Sequence, residues 1–204
     1  MSYPVTVVIP TIDSRVGFLA NRCVPSVKAA GATQIVVVHG EDNGNEKRNA
    51  GARAATQPYL LFVDDDSVIS ESIFEKMIPA LETSGADFAY CGYRYNTDKY
   101  STNFETSHKF PVGEIFPGKW SPERLRGGNY IDTTSLIRRS SFPGFDPAIR
   151  RFQDWDLWLT MAALGRRGVY VPYCLFEKFI IDDGISVRIP SAEAFEAIKR
   201  KHGL

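Results

Sequence analysis

LLFVDDDS, residues 60–67, runs four apolar residues straight into Asp64, Asp65 and Asp66. Like charges side by side repel, and burying any of them unpaired is costly. YLLFV (59–63) has the length and composition of a strand buried on both faces, so the aspartates stand at a strand's carboxyl end. Outward from there the chain alternates strand with helix. VTVVIP (5–10) and QIVVVHG (34–40) read as buried strands. Between them a helical stretch from Val16 to Ala30 is closed by Gly31 and interrupted by Pro25. NEKRNAGARAA (45–55) is a helix whose small residues allow close approach of neighbouring backbone or ligand.

Beyond the aspartates, Ser72 and Glu75 have the spacing of a capping box. They precede a helix with Ile73, Met77 and Leu81 on one face and Pro79 inside it, where a kink is expected. DFAYCGYRY (87–95) and IDTTSLIRR (131–139) predict strands, and DWDLWLTMAALG (154–165) predicts a helix closed by Gly165. VYVP and FEKFII follow as short strands, then an amphipathic helix over 190–201. Residues 96–128 are irregular and rich in Gly, Pro and aromatics, the place for a substrate loop. This alternation predicts an α/β fold: one domain with a mostly parallel twisted sheet and helices on both faces. Ligands of such sheets bind outside the carboxyl ends of the strands, where the aspartates are.

The 204 residues suit a single domain. Lys plus Arg equals Asp plus Glu at 24 each, so no basic field invites nucleic acid. Cys23, Cys91 and Cys174 have no metal-ligand spacing, and their odd number argues against a disulfide framework; the compartment reads as reduced and cytoplasmic. No apolar run approaches the ~18–20 residues of a membrane span. MSYPVTVVIP lacks the basic start of a signal peptide.

In extended chain, residues i and i+2 share a side, so Asp64 and Asp66 converge while Asp65 points away. Two hard carboxylates suit Mg²⁺ or Mn²⁺, which takes further ligands from phosphate and water. The same residues also suit a solvated acidic turn before a helix N-terminus. Asp154 and Asp156 lie on different faces of their helix. Asp154 serves either as an N-cap or as a general base, and Asp156 as a first-turn acid. Core packing is the default for Trp155 and Trp158. His39, His108 and His202 belong to no recognisable nucleophile elbow. GNEKRNAG is not a Walker loop, and no Gly-x-Gly-x-x-Gly follows a strand. Arg48 reaches either a diphosphate or a surface salt bridge.

Together these segments resemble the family-2 glycosyltransferases with the GT-A fold. VTVVIPTIDSR is similar to that family's first strand and nucleotide loop. RNAGARAATQPYLLFVDDDSVIS resembles its Arg-Asn-Ala-Gly helix, third strand and Asp-x-Asp motif. NYIDTTSLIRRSSFPGFDPAIRRFQDWDLWLTMAALGRRGVYVP resembles its acceptor-side segment. The likeness spans residues 4 to about 173.

The resemblance implies transfer of a sugar from a nucleotide diphosphate sugar, a UDP-sugar first, to a hydroxyl of a glycan or other acceptor, with inversion. It implies a nucleotide-binding half over about 1–95 and an acceptor-binding half over about 96–204. Pro10, Thr11, Asp13, Arg15, His39, Arg48, Asn49, Asp64 and Asp65 would line the nucleotide. Asp64 and Asp66 would hold Mn²⁺ or Mg²⁺, and Asp154 would be the base. Gln153, Trp155 and Asn129 would face acceptor or donor sugar, with Tyr93, Tyr95 and Trp120 as aromatic neighbours. Association with a membrane would be peripheral.

Three departures stand out. His39 occupies the place of the family's usual acid after the second strand, the segment before the Arg-Asn-Ala-Gly helix is shortened, and the usual Glu-Asp pair is Gln153-Asp154. FIIDDGISV (179–187) falls where the family often adds a diphosphate or metal contact; a turn through Asp183 and Gly184 explains those residues equally well. A nucleotidyltransferase would need a glycine-rich phosphate loop that PTIDSR lacks. A nucleotide-sugar or glycan-binding module without catalysis is the other alternative.

Overall fold

The computed structural model describes residues 1–41, 43–96, 114–179 and 189–204. Its strands are β1 (Tyr3–Thr11), β2 (Ala32–His39), β3 (Tyr59–Phe62), β4 (Ser67–Ile69), β5 (Phe88–Asn96), β6 (Glu114–Ile115), β7 (Leu136–Arg138) and β8 (Gly168–Phe179). The helices are α1 (Val16–Phe18), α2 (Val24–Ala29), α3 (Gly44–Arg53), α4 (Ile73–Ser84), α5 (Pro122–Gly127), α6 (Gln153–Ala163) and α7 (Ser191–His202).

The strands form one sheet in the order β2-β1-β3-β7-β5-β8-β4, with β6 against β5. It is mixed rather than mostly parallel. β1 runs parallel to β2 and β3, and β5 parallel to β8. The pairings β3–β7, β5–β7, β5–β6 and β4–β8 are antiparallel and short. The antiparallel part arises because β7 and β4 are three-residue strands that join the sheet without a crossover helix.

Period-two alternation buries the central strands on both faces. Val5, Val7, Ile9, Leu61 and Val63 pack into a core with Ile73, Phe74, Met77 and Leu81 of α4. Val8, Leu60, Phe62, Phe88 and Tyr90 enter a second core with Trp155, Trp158 and Met161 of α6. Trp158 stacks on Phe88 with ring centroids 4.6 Å apart. Gly51 of α3 lies against β1, where a Cβ would stand 2.2 Å from Val8 Cγ1.

Other expectations need correcting. β2 is half-buried because among the described residues it is an edge strand, paired with β1 alone. The helical stretch expected over 16–30 runs unbroken from Val16 to Ala29, with a π-helical segment at Leu19–Cys23 and Pro25 accommodated in the first turn of α2. Ser72 precedes α4 but makes no side-chain cap; the Ser70 hydroxyl accepts the Ser72 N–H instead. Of the strand expected over 131–139 only Leu136–Arg138 is extended, because residues 132–135 are held in a tight local turn. VYVP and the described part of FEKFII, residues 176–179, belong to one strand, with Tyr173 at φ 57° between them. Trp120 packs edge-on against Phe88 in the second core. Of the irregular substrate loop expected over 96–128, residues 97–113 lie outside the described residues, and the described part is not irregular throughout but holds β6 and α5. The turn at Asp183-Gly184 lies wholly outside the described residues.

Candidate functional site

β3 ends in a tight turn that fans three carboxylates from the edge of the parallel strands. Val63 still donates its N–H to the Val8 carbonyl at 3.0 Å, and the Ser67 N–H closes the turn on the Asp64 carbonyl at 3.0 Å. Asp65 points into the protein. It accepts from Thr11 Oγ1 at 2.7 Å and from Arg15 Nη1 at 3.1 Å. Burial raises its carboxyl, with Arg15 and Thr11 opposing. This acid ties the ends of β1 and β3 to the segment that follows β1.

Asp64 accepts from Arg48 Nη2 at 2.6 Å, and its other oxygen lies 3.8 Å from Lys178 Nζ. Burial works against its charge, yet Arg48 and Lys178 together hold its carboxyl below the usual range. Asp66 is different. Arg15 Nη1 is 4.0 Å away and the Ser67 hydroxyl donates at 3.4 Å. Burial, then the charge of Asp64, push the Asp66 carboxyl up to about 7.

α3 supplies the basic side of this edge. Arg48 is buried, donates to Asn45 Oδ1 at 3.3 Å, and rests on the Phe145 ring. Lys47 Nζ donates to the carbonyls of Thr11 at 2.9 Å and Gly40 at 2.5 Å, fastening the ends of β1 and β2. Both ends of the Asn49 amide are spent on the Phe145 backbone, at 2.8 and 2.9 Å; it holds the loop before α6. Pro10 and Thr11 pair in register with Val38 and His39. Asp13 and His39 sit on the exposed rim, His39 Nδ1 4.0 Å from the Asp13 carboxylate, and the Asp13 N–H donates to Glu41 Oε1 at 3.1 Å.

α6 starts at Gln153 after Phe152, a non-glycine residue in the left-handed region at φ 60°. Asp154 is half-buried and accepts its neighbour Trp155 N–H at 2.9 Å. Burial, then the charge of Asp132, push the Asp154 carboxyl up to about 6; Lys178 and the Trp155 N–H oppose, and Asp64 adds to the rise. Asp154 therefore shares one electrostatic neighbourhood with Asp64, Asp132 and Lys178. Asp156, one turn-face away, is buried against Lys201 at 2.8 Å and His202 at 2.7 Å, and fastens α7 to α6.

One sugar-facing expectation changes, that for Trp155. The Trp155 ring is 1% exposed and its Nε1–H donates to the Leu125 carbonyl at 2.7 Å, so it is a core residue with no face to offer. Asn129 is exposed, and its side-chain oxygen accepts the Ile131 N–H at 3.2 Å.

Sequence reasoning missed Lys178 and Asp132. Lys178 Nζ donates to Asp132 Oδ2 at 2.7 Å, and the other Asp132 oxygen accepts the Thr134 N–H at 2.9 Å. Burial works against the Lys178 charge, but Asp132, Asp64 and Asp66 keep its pKa well above the ordinary lysine value. A lysine set between Glu177 and Phe179 in a strand of mostly apolar neighbours was the available signal.

No helix among the described residues is long and apolar enough to cross a membrane. The family model described as glycosyl transferase family 2 matches residues 24–144. An uncharacterized glycosyltransferase of Bacillus subtilis (strain 168), YwdF, is 28% identical over 137 residues, covering 63% of this chain and 48% of its own length. A second from the same organism, EpsJ, is 32% identical over 68 residues, 32% of this chain and 20% of its own. The chain thus spans about half or less of the length of these curated relatives. Among solved structures, S. aureus TarS 1-349 in complex with UDP-GlcNAc superposes with a TM-score of 0.73 at 14% identity, over 99% of this chain and 65% of that one. The same protein in complex with UDP gives 0.69 at 12% identity, over 98% and 64%. At such identities the superpositions speak for a GT-A-like fold. With the family model matching more than half of its length, the chain belongs to glycosyl transferase family 2.

Proposed function

We propose that this protein moves a sugar from a nucleotide diphosphate sugar, a UDP-sugar first, to a hydroxyl of a glycan or other acceptor, with inversion and with Mn²⁺ or Mg²⁺. The observation that carries it is the turn after β3 that sets Asp64 and Asp66 beside Arg15, Arg48 and Lys178, with the charge of Asp64 reaching Asp154 at the start of α6. UDP and UDP-GlcNAc in complexes of a protein of the same fold support the donor class.

The donor set suits a hard divalent cation. Among the described residues, Asp64, Asp65, Asp66, Asp132 and Asp154 face Arg15, Arg48 and Lys178, an excess of negative charge. Asp66, whose carboxyl is raised to about 7, is the acid a cation would ionise, and Asp64 would assist it. Two carboxylates are enough for Mg²⁺ or Mn²⁺ when phosphates and water complete the shell. Such an ion, when bound, stabilises charge that builds on a departing diphosphate.

The chain's own residues would do the rest. Thr11, Asp13, Arg15, Arg48 and His39 flank the nucleotide side. The acceptor hydroxyl gives its proton to Asp154 as its oxygen bonds to the anomeric carbon; the bond to the diphosphate breaks, and one displacement inverts the centre. A positioned carboxylate base contributes ~10²–10⁴-fold. Gln153 and the exposed Asn129 would face the acceptor. The cysteines are all free and buried, which suits a reducing, cytoplasmic setting, with the acceptor met peripherally if it is a lipid-linked one.

Thermal unfolding with UDP, GDP, dTDP and CDP, each with and without Mn²⁺, tests this reading. One nucleotide at about 100 times its Kd should add about 2.7 kcal/mol and raise Tm by roughly 5–10 °C. The shift should need the metal and vanish in Asp66→Ala. No shift with any nucleotide would overturn the reading; a shift without sugar transfer would favour a binding module.

A further inference from the structure

We infer that Lys178 is a resident cation for the donor's diphosphate, held in place by Asp132, and that the chain therefore binds nucleoside diphosphate measurably without a divalent metal. The inference rests on the proposed donor site and adds a residue to it.

Lys178 lies near the end of β8, in register with Ser67 of β4 on one side and Tyr95 of β5 on the other. That register sets it beside the aspartate turn. Among the described residues its ammonium makes one hydrogen bond, to Asp132 Oδ2 at 2.7 Å, and stands 5.9 Å from the centre of the Tyr93 ring. Asp64 Oδ2, at 3.8 Å, is within ion-pair range but beyond hydrogen-bond reach. An ammonium has three donors, so two are available for phosphate oxygens. The side chain as a whole is 21% exposed.

Asp132 is built to hold this lysine. It is 8% exposed, and its second oxygen is fixed by the Thr134 N–H while Ser135 Oγ donates to its carbonyl at 2.8 Å. The carboxylate therefore cannot swing toward a ligand. Arg48, by contrast, is buried with Nη2 on Asp64 and Nη1 on Asn45, and turns its charge inward. Lys178 thus stands 3.8 Å from Asp64, one of the carboxylates proposed for the metal. There it meets negative charge on the leaving group as the glycosidic bond breaks. Hydrogen bonds between charged partners are the strong ones.

Calorimetric titration with UDP, in excess EDTA and then in Mn²⁺, tests this on the parent, Lys178→Arg and the double variant Lys178→Met/Asp132→Asn. The double variant removes both charges at once, so that no carboxylate is left buried and unpaired; circular dichroism checks its fold. The parent should bind UDP in EDTA, Lys178→Arg should retain that binding, and the double variant should lose at least ~10-fold in metal-free affinity while keeping a metal-dependent component. A parent that binds UDP only with Mn²⁺, or a folded double variant equal to the parent in EDTA, overturns the inference and leaves the proposed donor site standing. UDP binding in neither condition overturns both. Should the double variant fail to fold, Lys178→Gln in the same EDTA titration decides: unchanged affinity overturns, a loss of at least ~10-fold supports.

Discussion

Asp154 and Asp132 come from segments more than twenty residues apart, yet the charge of one raises the other. A carboxyl at about 6 must lose its proton to act as a base, so kcat/KM should climb with pH through an acid limb near 6. Asp132→Asn removes the like charge and leaves Lys178, which favours the ionised Asp154. The limb should move to lower pH in a pH–rate profile; a limb that stays put would show that Asp132 does not act on the base. The stability consequence has a definite sign. A folded value above the unfolded one means that Asp154 adds stability below about pH 4 and loses it as pH rises through 6. Asp154→Asn should thus abolish transfer, yet melt higher than the parent at pH 8, and the difference should shrink toward pH 4. Asp64, Asp66 and Asp154 were legible in the sequence because an acid at the end of an apolar strand or the start of a helix stands out. Lys178 and Asp132 were not, since each looks ordinary until the sheet brings them to 2.7 Å. Trp155 misled for the opposite reason: its ring has a polar N–H, and only the fold reveals that Leu125 accepts it.

Helix α3 exists to bring Arg48 under the aspartate turn, and its small residues let it approach β1 closely enough to do so. Gly51 is the closest point, and a Cβ there meets Val8 Cγ1 at 2.2 Å, against a β-branched side chain that cannot move aside. Gly51→Ala should cost about 1–3 kcal/mol in urea unfolding despite alanine's better helix propensity. Gly127→Ala, where a Cβ would meet nothing within 4 Å, is the control and should change stability by less than about 1 kcal/mol. Equal effects at the two positions would mean that the contact with β1 is loose. The small-residue character of 45–55 was readable at once. What it packs against was not, because close approach is a property of two elements and the sequence names only one. Short elements were the least legible. β4, β6 and β7 have two or three residues each, too few for a period to show, and the Ser72–Glu75 spacing lost its cap to Ser70.

Across the whole molecule, the two halves expected over about 1–95 and 96–204 are not separate in the architecture. β7, from the second half, sits between β3 and β5 of the first, and β8 lies between β5 and β4. The sheet is therefore interleaved, and neither half can close a core without the other. The α/β class was legible from alternation alone, whereas this interleaving was not, since register and strand order follow from pairing choices that no local pattern records. Trp120, Trp155 and Trp158, the chain's three tryptophans, all lie after residue 96, while far-UV dichroism reports on both halves. If the sheet couples them, tryptophan fluorescence and far-UV dichroism should give one coincident urea transition with a single midpoint. Mn²⁺ with the nucleotide selected by thermal shift should then move both curves upward together, although the aspartate turn carries no tryptophan. Separate midpoints, or a ligand that moves the dichroism alone, would mean that the halves unfold independently. The short pairings of β7 with β3 and β5 would then be too weak to transmit the stability gained at the site.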